Sequence, residues 1–432
     1  MAIKESTTAG KDISSAIDAY NGSVNPALVH LLRSWGGPLT FRKAKGAWLE
    51  DSEGHRYLDM VSGYGAATLG HCHPELTSAL SDALSAELPF TYPHSISTVA
   101  GELAVRLCKL AGRKLAKVYF VNSGSEGVEA ALKFAMAHTG RNKFLSFSQS
   151  FHGLTLGALS LIDGEFKRKF PSTALRARQV AFEDLDELEH HLKNEAIAGV
   201  VVEIVQGMAG ARPWRADKLE ELSTLCHRYG AVLIIDEVLT GIGRTGKWFA
   251  FQAAGEKFEP DVVVVSKGLT GGLVPVSAVL MTDEVHRSVY DSIDQANAHA
   301  STFEGNLLAM TVGLEVIRLI ERDDLLNRVS ELGSAFARRL RDLQKKKLGI
   351  LDVRGSGLLI GFQIANSAFK DEALWGAAGC RRHMIQRGVL IHLAAQAPSY
   401  NYLTPPFILS NADTEFFFAR LEESLRHGIS GY

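Results

Sequence analysis

Disulfide staples are the first thing this sequence does not support. Its 432 residues include four cysteines, Cys72, Cys108, Cys226 and Cys380, far apart and with no C-x-x-C pair. Neither a disulfide framework nor a cysteine zinc site is indicated, and reduced thiols in a cytoplasmic protein are expected. No apolar stretch nears the roughly 18 residues that span a bilayer. The opening segment, Met1 to Thr8, is too polar for the core of a secretion signal. An excess of either charge is missing as well. Lys and Arg number 46 against 48 Asp and Glu, a formal net charge of -2. That balance speaks against nucleic acid or an anionic membrane as a partner. Repeats, low-complexity tracts and long charge runs are also absent.

What is present is the composition of a soluble globular chain, 46% hydrophobic and 22% charged, long enough for one very large domain or two to three ordinary ones. From about residue 100, short apolar runs alternate with helical stretches. Strands are expected at Lys117–Val121, Lys143–Phe147, Gly199–Val205, Ala231–Ile235, Asp261–Val265 and Val276–Met281. Helices are expected at Glu126–His138, Leu185–Glu195 and Asp217–Arg228. Runs such as the four valines at 262–265 belong to strands covered on both faces, so the pattern predicts a doubly wound, mainly parallel α/β domain over residues 72–325. Residues 1–71, with a hairpin turning at Ser52–Gly54, and residues 326–432, with helices at Leu326–Lys347 and Asp413–His427 and strands at 357–363 and 388–393, are expected to form a smaller α+β domain together.

Three features carry chemistry. Strand Lys117–Val121 runs into Asn122-Ser123-Gly124-Ser125-Glu126 at a helix start, where free N–H groups and the helix dipole suit a phosphate. The same residues also fit an S-x-x-E capping box. Two buried strands end in charged residues, Asp236 and Lys267, on the side where open parallel sheets bind ligands. These two could be a structural ion pair. They also fit a ligand: a lysine in a dry cleft can form a Schiff base with an aldehyde, and an aspartate can keep a pyridine nitrogen protonated. Phosphate at Ser123–Ser125, ring nitrogen at Asp236 and aldehyde at Lys267 converge on pyridoxal 5'-phosphate (PLP). Gly241-Ile242-Gly243-Arg244-Thr245-Gly246 matches G-x-G-x-x-G. It lacks the helix that a dinucleotide site needs directly after the strand, and an aromatic segment follows instead.

With those residues in view, the chain resembles the class III (ω-) aminotransferases, PLP enzymes of fold type I. The matching pieces are Gly70–Pro74, Asn122–Glu126, Phe151-His152-Gly153, Glu203–Gly207, Asp236-Glu237-Val238, Gly241–Gly246, Ser266-Lys267-Gly268 and Ser301–Asn306. The resemblance implies that Lys267 holds the cofactor and shuttles a proton, with Asp236 pairing the ring nitrogen. Gly124 and Ser125 would hold the phosphate, Phe151 and Val238 would press the two ring faces, and His152 and Glu203 would stand beside the ring. Thr302 would reach the cofactor of a second subunit, so a homodimer with shared sites is implied, as is ping-pong transfer between an amine and a keto acid. His71-Cys72-His73 resembles a structural segment of the family, and no metal is expected.

The chain also departs from the pattern. Relatives acting on ornithine or 4-aminobutyrate usually pair a Glu after the E-P-x-Q-G segment with an Arg before the Pro-Pro. Here Met208 and Tyr402 stand at those positions. A switching Arg of many amine:pyruvate enzymes is matched by His392, and Leu239 stands where Gln is common. Tyr64, Met208, His392 and Tyr402 are therefore expected to form an apolar substrate side. It would favour a primary amine, long-chain or without a nearby carboxylate, with pyruvate or another small keto acid as acceptor. An ω-amino-acid aminotransferase of the ornithine or 4-aminobutyrate type and an aminomutase of the glutamate-1-semialdehyde type are the alternatives.

Overall fold

The four consecutive valines set the architecture. A computed structural model describes residues 13–430 apart from 36, 38, 92–94, 171–174 and 370–374. Its central sheet has seven strands: β1 (Leu115–Val121), β2 (Lys143–Phe147), β3 (Arg176–Val180), β4 (Ile197–Val202), β5 (Val232–Asp236), β6 (Val262–Val265) and β7 (Ser277–Thr282), in the order β1-β7-β6-β5-β4-β2-β3. Only β7 runs against its neighbours. Alternate side chains of β6 enter opposite cores, Val262 and Val264 on one face and Val263 and Val265 on the other. This is why the run has no polar face: both sides of the pleat are covered. Helix Gly124–Thr139 closes the first face through Val128, Leu132 and Phe134, and helix Ala216–Arg228 closes the second through Leu219, Leu222 and Leu225.

The two ends of the chain share a sheet. Strand Trp48–Asp51 pairs antiparallel with Arg56–Asp59, which in turn pairs in parallel with Val389–Leu390. A second small sheet joins Ile350–Ser356, Leu359–Ile364, Tyr400–Leu403 and His392–Leu393. Helices Leu325–Lys345 and Asn411–Ser430 accompany it. Among the described residues no helix is long and apolar enough to cross a membrane.

Several expected boundaries shift. Gly199–Val205 is not one strand: β4 stops at Val202, and Val205–Gln206 pairs separately with Arg212–Pro213. The strand expected over 357–363 starts at Leu359, because Gly357 and Leu358 turn between two antiparallel strands, the first of which, Ile350–Ser356, the apolar pattern did not reveal. Strand β3 also escaped sequence reading. Its Arg-Ala-Arg-Gln-Val lies at the sheet edge, where alternating polar residues face water. Leu233 is fully buried in β5, so Leu233→Ala should cost about 2–5 kcal/mol through lost contacts and the cavity left behind. A fall in the denaturation midpoint with an unchanged denaturant slope is the expected reading.

Candidate active site

Because β1, β2, β4, β5 and β6 point the same way, their carboxyl ends open at one edge of the sheet, the edge where such folds bind ligands. Asp236 ends β5 and is 5% exposed. Its Oδ1 accepts the Val238 N–H at 3.0 Å, and its Oδ2 lies 2.8 Å from His152 Nδ1. The next residue, Glu237, points the opposite way, as strand alternation requires, and accepts from Thr240 Oγ1 at 2.5 Å and Phe251 N at 2.8 Å. Of the two adjacent acids, only Asp236 faces the cluster.

Glu203, just beyond β4, accepts the Phe151 N–H at 2.9 Å and the Gly207 N–H at 3.3 Å. Burial pushes its carboxyl up to about 7, the His152 charge opposing and Asp236 reinforcing the rise. For His152, burial acts against the charged ring, but the Asp236 hydrogen bond and the nearby carboxylates outweigh it and raise the pKa. Its Nε2 is buried without a partner among the described residues, an orphan donor position in a polar pocket.

Lys267 follows β6 and Ser266. Its backbone has φ 43°, the left-handed region that non-glycine residues adopt at a cost. The side chain is half-buried among protein atoms. Desolvation lowers its pKa, only partly countered by Asp236 and Glu203 and assisted by Arg244.

At the end of β1, Ser123 caps helix Gly124–Thr139, its Oγ accepting the Glu126 N–H at 3.2 Å, while Glu126 accepts the Asn122 N–H at 2.8 Å. The capping arrangement and the anion site are therefore compatible. The cap uses the Glu126 N–H, and the first helical N–H groups, those of Gly124 and Ser125, have no carbonyl within the helix to bond. A Cβ at Gly124 would stand 2.8 Å from Val238 Cγ1, so only glycine lets the helix start approach this residue. Gly153, at φ 120°, lies so close to Ser125 that a side chain there would overlap it.

The substrate-side residues also meet. His392 stacks on Tyr402 with ring centroids 4.3 Å apart and planes 8° apart, and the Tyr64 ring, tilted by 31°, lies 4.9 Å from His392. The Tyr402 hydroxyl is 3.8 Å from Met208 Sδ. His392 Nε2 lies 3.1 Å from Thr404 Oγ1, which itself donates to the Val61 carbonyl, so the ring acts as donor here. Burial pushes His392 down to about 3, keeping it neutral. Leu239 packs between Gly65, where a Cβ would come within 2.7 Å of it, and Gly207. Thr302 is not part of this cluster. It is exposed, on a loop whose Ser301 lies 3.4 Å from Asn122 Nδ2, beside a surface depression lined by Leu88, Phe90, Ile96 and Tyr119.

Sequence reading missed Thr404, which orients His392, and Arg244. The Arg244 guanidinium is fully buried and donates to the carbonyls of Leu358 (3.2 Å), Pro405 (2.5 Å) and Gly65 (3.2 Å). Its presence inside G-x-G-x-x-G was the available signal. No helix follows that motif directly. Residues 237–248 are turns, so the dinucleotide arrangement is not formed.

A family model described as aminotransferase class-III matches residues 33–425. The chain belongs to that family. Among relatives of this class-III aminotransferase, aminotransferase PigE of Serratia sp. is 35% identical over 365 residues, 84% of this chain and 42% of that protein. The chain thus spans less than half of PigE. Acetylornithine aminotransferase of Archaeoglobus fulgidus is 34% identical over 388 residues, covering 89% of this chain and 96% of its own. An amine transaminase from an uncultivated Pseudomonas species, solved in its PLP-bound form, superposes with a TM-score of 0.82 at 25% identity, covering 90% of this chain and 95% of its own. The expected α/β aminotransferase fold and transferase class therefore hold for this enzyme.

Loss of the Asp236 charge should reverse the His152 titration. In the native protein the ring titrates above the ordinary histidine value. It therefore adds stability that is full below that value and fades as pH rises through the raised one. In Asp236→Asn, with only the smaller effect of Glu203 left to oppose burial, the pKa should fall below the ordinary value, as read from the His152 ring proton by NMR.

Proposed function

We propose that this aminotransferase moves an amino group from a primary amine lacking a nearby carboxylate to pyruvate or another small keto acid, with PLP as cofactor. The residues present suit that cofactor. The free N–H groups at Gly124 and Ser125 would hold its phosphate, with Ser123 fixing the turn. Asp236, held by only two donors, has lone pairs to spare for a ring N–H. Phe151 and Val238 would lie on either ring face, and His152 and Glu203 would keep the Asp236 carboxylate in place. Lys267 would bond the cofactor covalently. When bound, the cofactor supplies an electron sink for the charge that develops on the carbon bearing the amine. Lys267, its pKa lowered by desolvation, would take the proton from that carbon and return it at the next position. Thr302, exposed beside Phe90 and Ile96, would serve the site of a second copy in a homodimer, and those apolar residues support such a contact.

One observation carries the choice of donor. Tyr402 and Met208 touch where the relatives' ion pair for a substrate carboxylate would be expected, and neutral His392 and Leu239 extend the same wall. A carboxylate placed there would be desolvated without a cationic partner. The relatives' name acetylornithine aminotransferase favours the alternative donor class, so a donor panel decides. Steady-state turnover with pyruvate should be fast and saturable for simple alkylamines and at least about tenfold poorer in kcat/KM for ornithine and 4-aminobutyrate, the size of one unanswered charge. The opposite ranking would overturn the proposal, and product formed without any keto acid would instead indicate an aminomutase.

Lys267→Ala should lower kcat by a factor of about 10²–10⁴ or more, the usual worth of a positioned acid–base group. It should also abolish borohydride fixation of the cofactor to the protein. Asp236→Ala should lose turnover while keeping the native circular dichroism.

A further inference from the structure

Arg381 is a cation packed next to the strand that carries His392, and no carboxylate among the described residues answers its charge. It lies on helix Gly376–Gln386. Its Nε donates to the Ile391 carbonyl at 3.2 Å, and its guanidinium sits over the Trp35 ring, 4.3 Å from the centroid. Ile391 immediately precedes His392, whose ring stacks on Tyr402. The bond to Ile391 thus sets the guanidinium next to the strand that carries His392, whose ring also contacts the exposed Tyr64. The other half-buried and buried guanidinium groups near the cleft are already employed: Arg244 on three carbonyls, Arg212 on Gln206 and Ser148, Arg354 on Ala209 and Gly210. Arg381 has five N–H donors and, among the described residues, uses one. An arginine resting on an aromatic ring can still offer its fork to a carboxylate.

A transaminase with the donor preference proposed above faces a problem. One cleft must accept an amine with no carboxylate and then a keto acid with one. A cation deep in the wall would be left desolvated and unpaired whenever the amine is bound. A cation at the rim, parked on an indole face, avoids that cost. We propose that Arg381 binds the carboxylate of the keto-acid acceptor at the Tyr64 end of the aromatic wall, while the inner wall of Met208, Leu239 and Tyr402 takes the apolar body of the amine. This inference rests on the amine-to-keto-acid reading for the identity of the carboxylate's owner, and on Arg381 alone for the site.

The test uses the holoenzyme and its Arg381→Gln and Arg381→Lys variants, with hexylamine and pyruvate varied separately. In Arg381→Gln the KM for pyruvate should rise about ten- to a hundredfold, as expected for a lost charge-assisted pair. The KM for hexylamine should stay within about twofold, and Arg381→Lys should recover part of the loss. Calorimetric titration with propionate, an unreactive carboxylate, gives a readout that does not depend on turnover. Wild type should bind propionate more tightly than propionamide, and Arg381→Gln should abolish the difference. Equal rises in both KM values would indicate a merely structural role through Trp35 and would overturn the proposal, as would an unchanged pyruvate KM. If the wild-type enzyme does not turn over hexylamine with pyruvate, the donor reading fails. The propionate arm then still decides: weakened binding in Arg381→Gln supports the carboxylate site, and unchanged binding removes it.

Discussion

A carboxylate placed in a nearly dry pocket is the constraint from which the rest of the site follows. Asp236 is 5% exposed, so hydrogen bonds must replace the hydration its carboxyl group loses. The replacement is local: a backbone N–H from Val238 and the ring of His152. His152 in turn needs the carboxylate to hold a proton against burial. Burial disfavours charge on the groups around this pair: Glu203 rises to about 7 and Lys267 falls. A cluster with two acids, an imidazole and an amine is thus organised around one hydrogen-bonded Asp236–His152 pair beside an amine whose pKa is lowered. The same desolvation that raises Glu203 also moves Lys267 toward the neutral form that attacks a carbonyl.

The substrate wall shows the same logic with the opposite result. Specificity is a difference of affinities, and a pair of complementary charges in a wall favours ligands that share it. Replacing only one member of such a pair leaves the other buried and unanswered, which costs several kcal/mol. Here both positions are uncharged and touch each other, Tyr402 hydroxyl to Met208 sulfur. Their neighbours are consistent with that choice: His392 is locked as a neutral donor by Thr404, and Leu239 fills the gap between Gly65 and Gly207. The wall is apolar as a unit, which is how it avoids an orphaned charge.

Much of this was legible in the chain because strand ends advertise themselves. β5 and β6 are apolar on both faces, so the charged residue that terminates each one stands out, and the Ser-Gly-Ser turn after β1 is visible for the same reason. Elements with one wet face were harder. β3 and Ile350–Ser356 alternate polar and apolar residues, and nothing in their composition separates them from loops. Arg381 and Trp35 were invisible for a different cause. Each is an ordinary residue in its own segment, and only the packing of the chain's two ends brings the guanidinium onto the indole and next to His392. Contacts that join distant segments leave no local pattern to read.

The glycine motif that imitates a dinucleotide site shows how far a spacing can mislead and what it does instead. In a dinucleotide fold the glycines let a pyrophosphate approach the start of a helix. Here they let other parts of the protein approach. A Cβ at Gly243, where φ is 93°, would come 3.1 Å from Phe407, and one at Gly246 would overlap Ser330. Between them Arg244 takes its guanidinium entirely out of water and joins the carbonyls of Gly65, Leu358 and Pro405. Burial without a carboxylate pushes even this guanidinium down to about 9, so the arrangement is costly. It is tolerated because those three carbonyls belong to the turn carrying Tyr64, to the small sheet and to the segment following Tyr402. One buried cation thereby fixes both ends of the aromatic wall against the loop that leads from Asp236. The spacing of glycines around an arginine is thus explained by the need to hold a substrate wall in register with the charged cluster, and no phosphate is required to account for it.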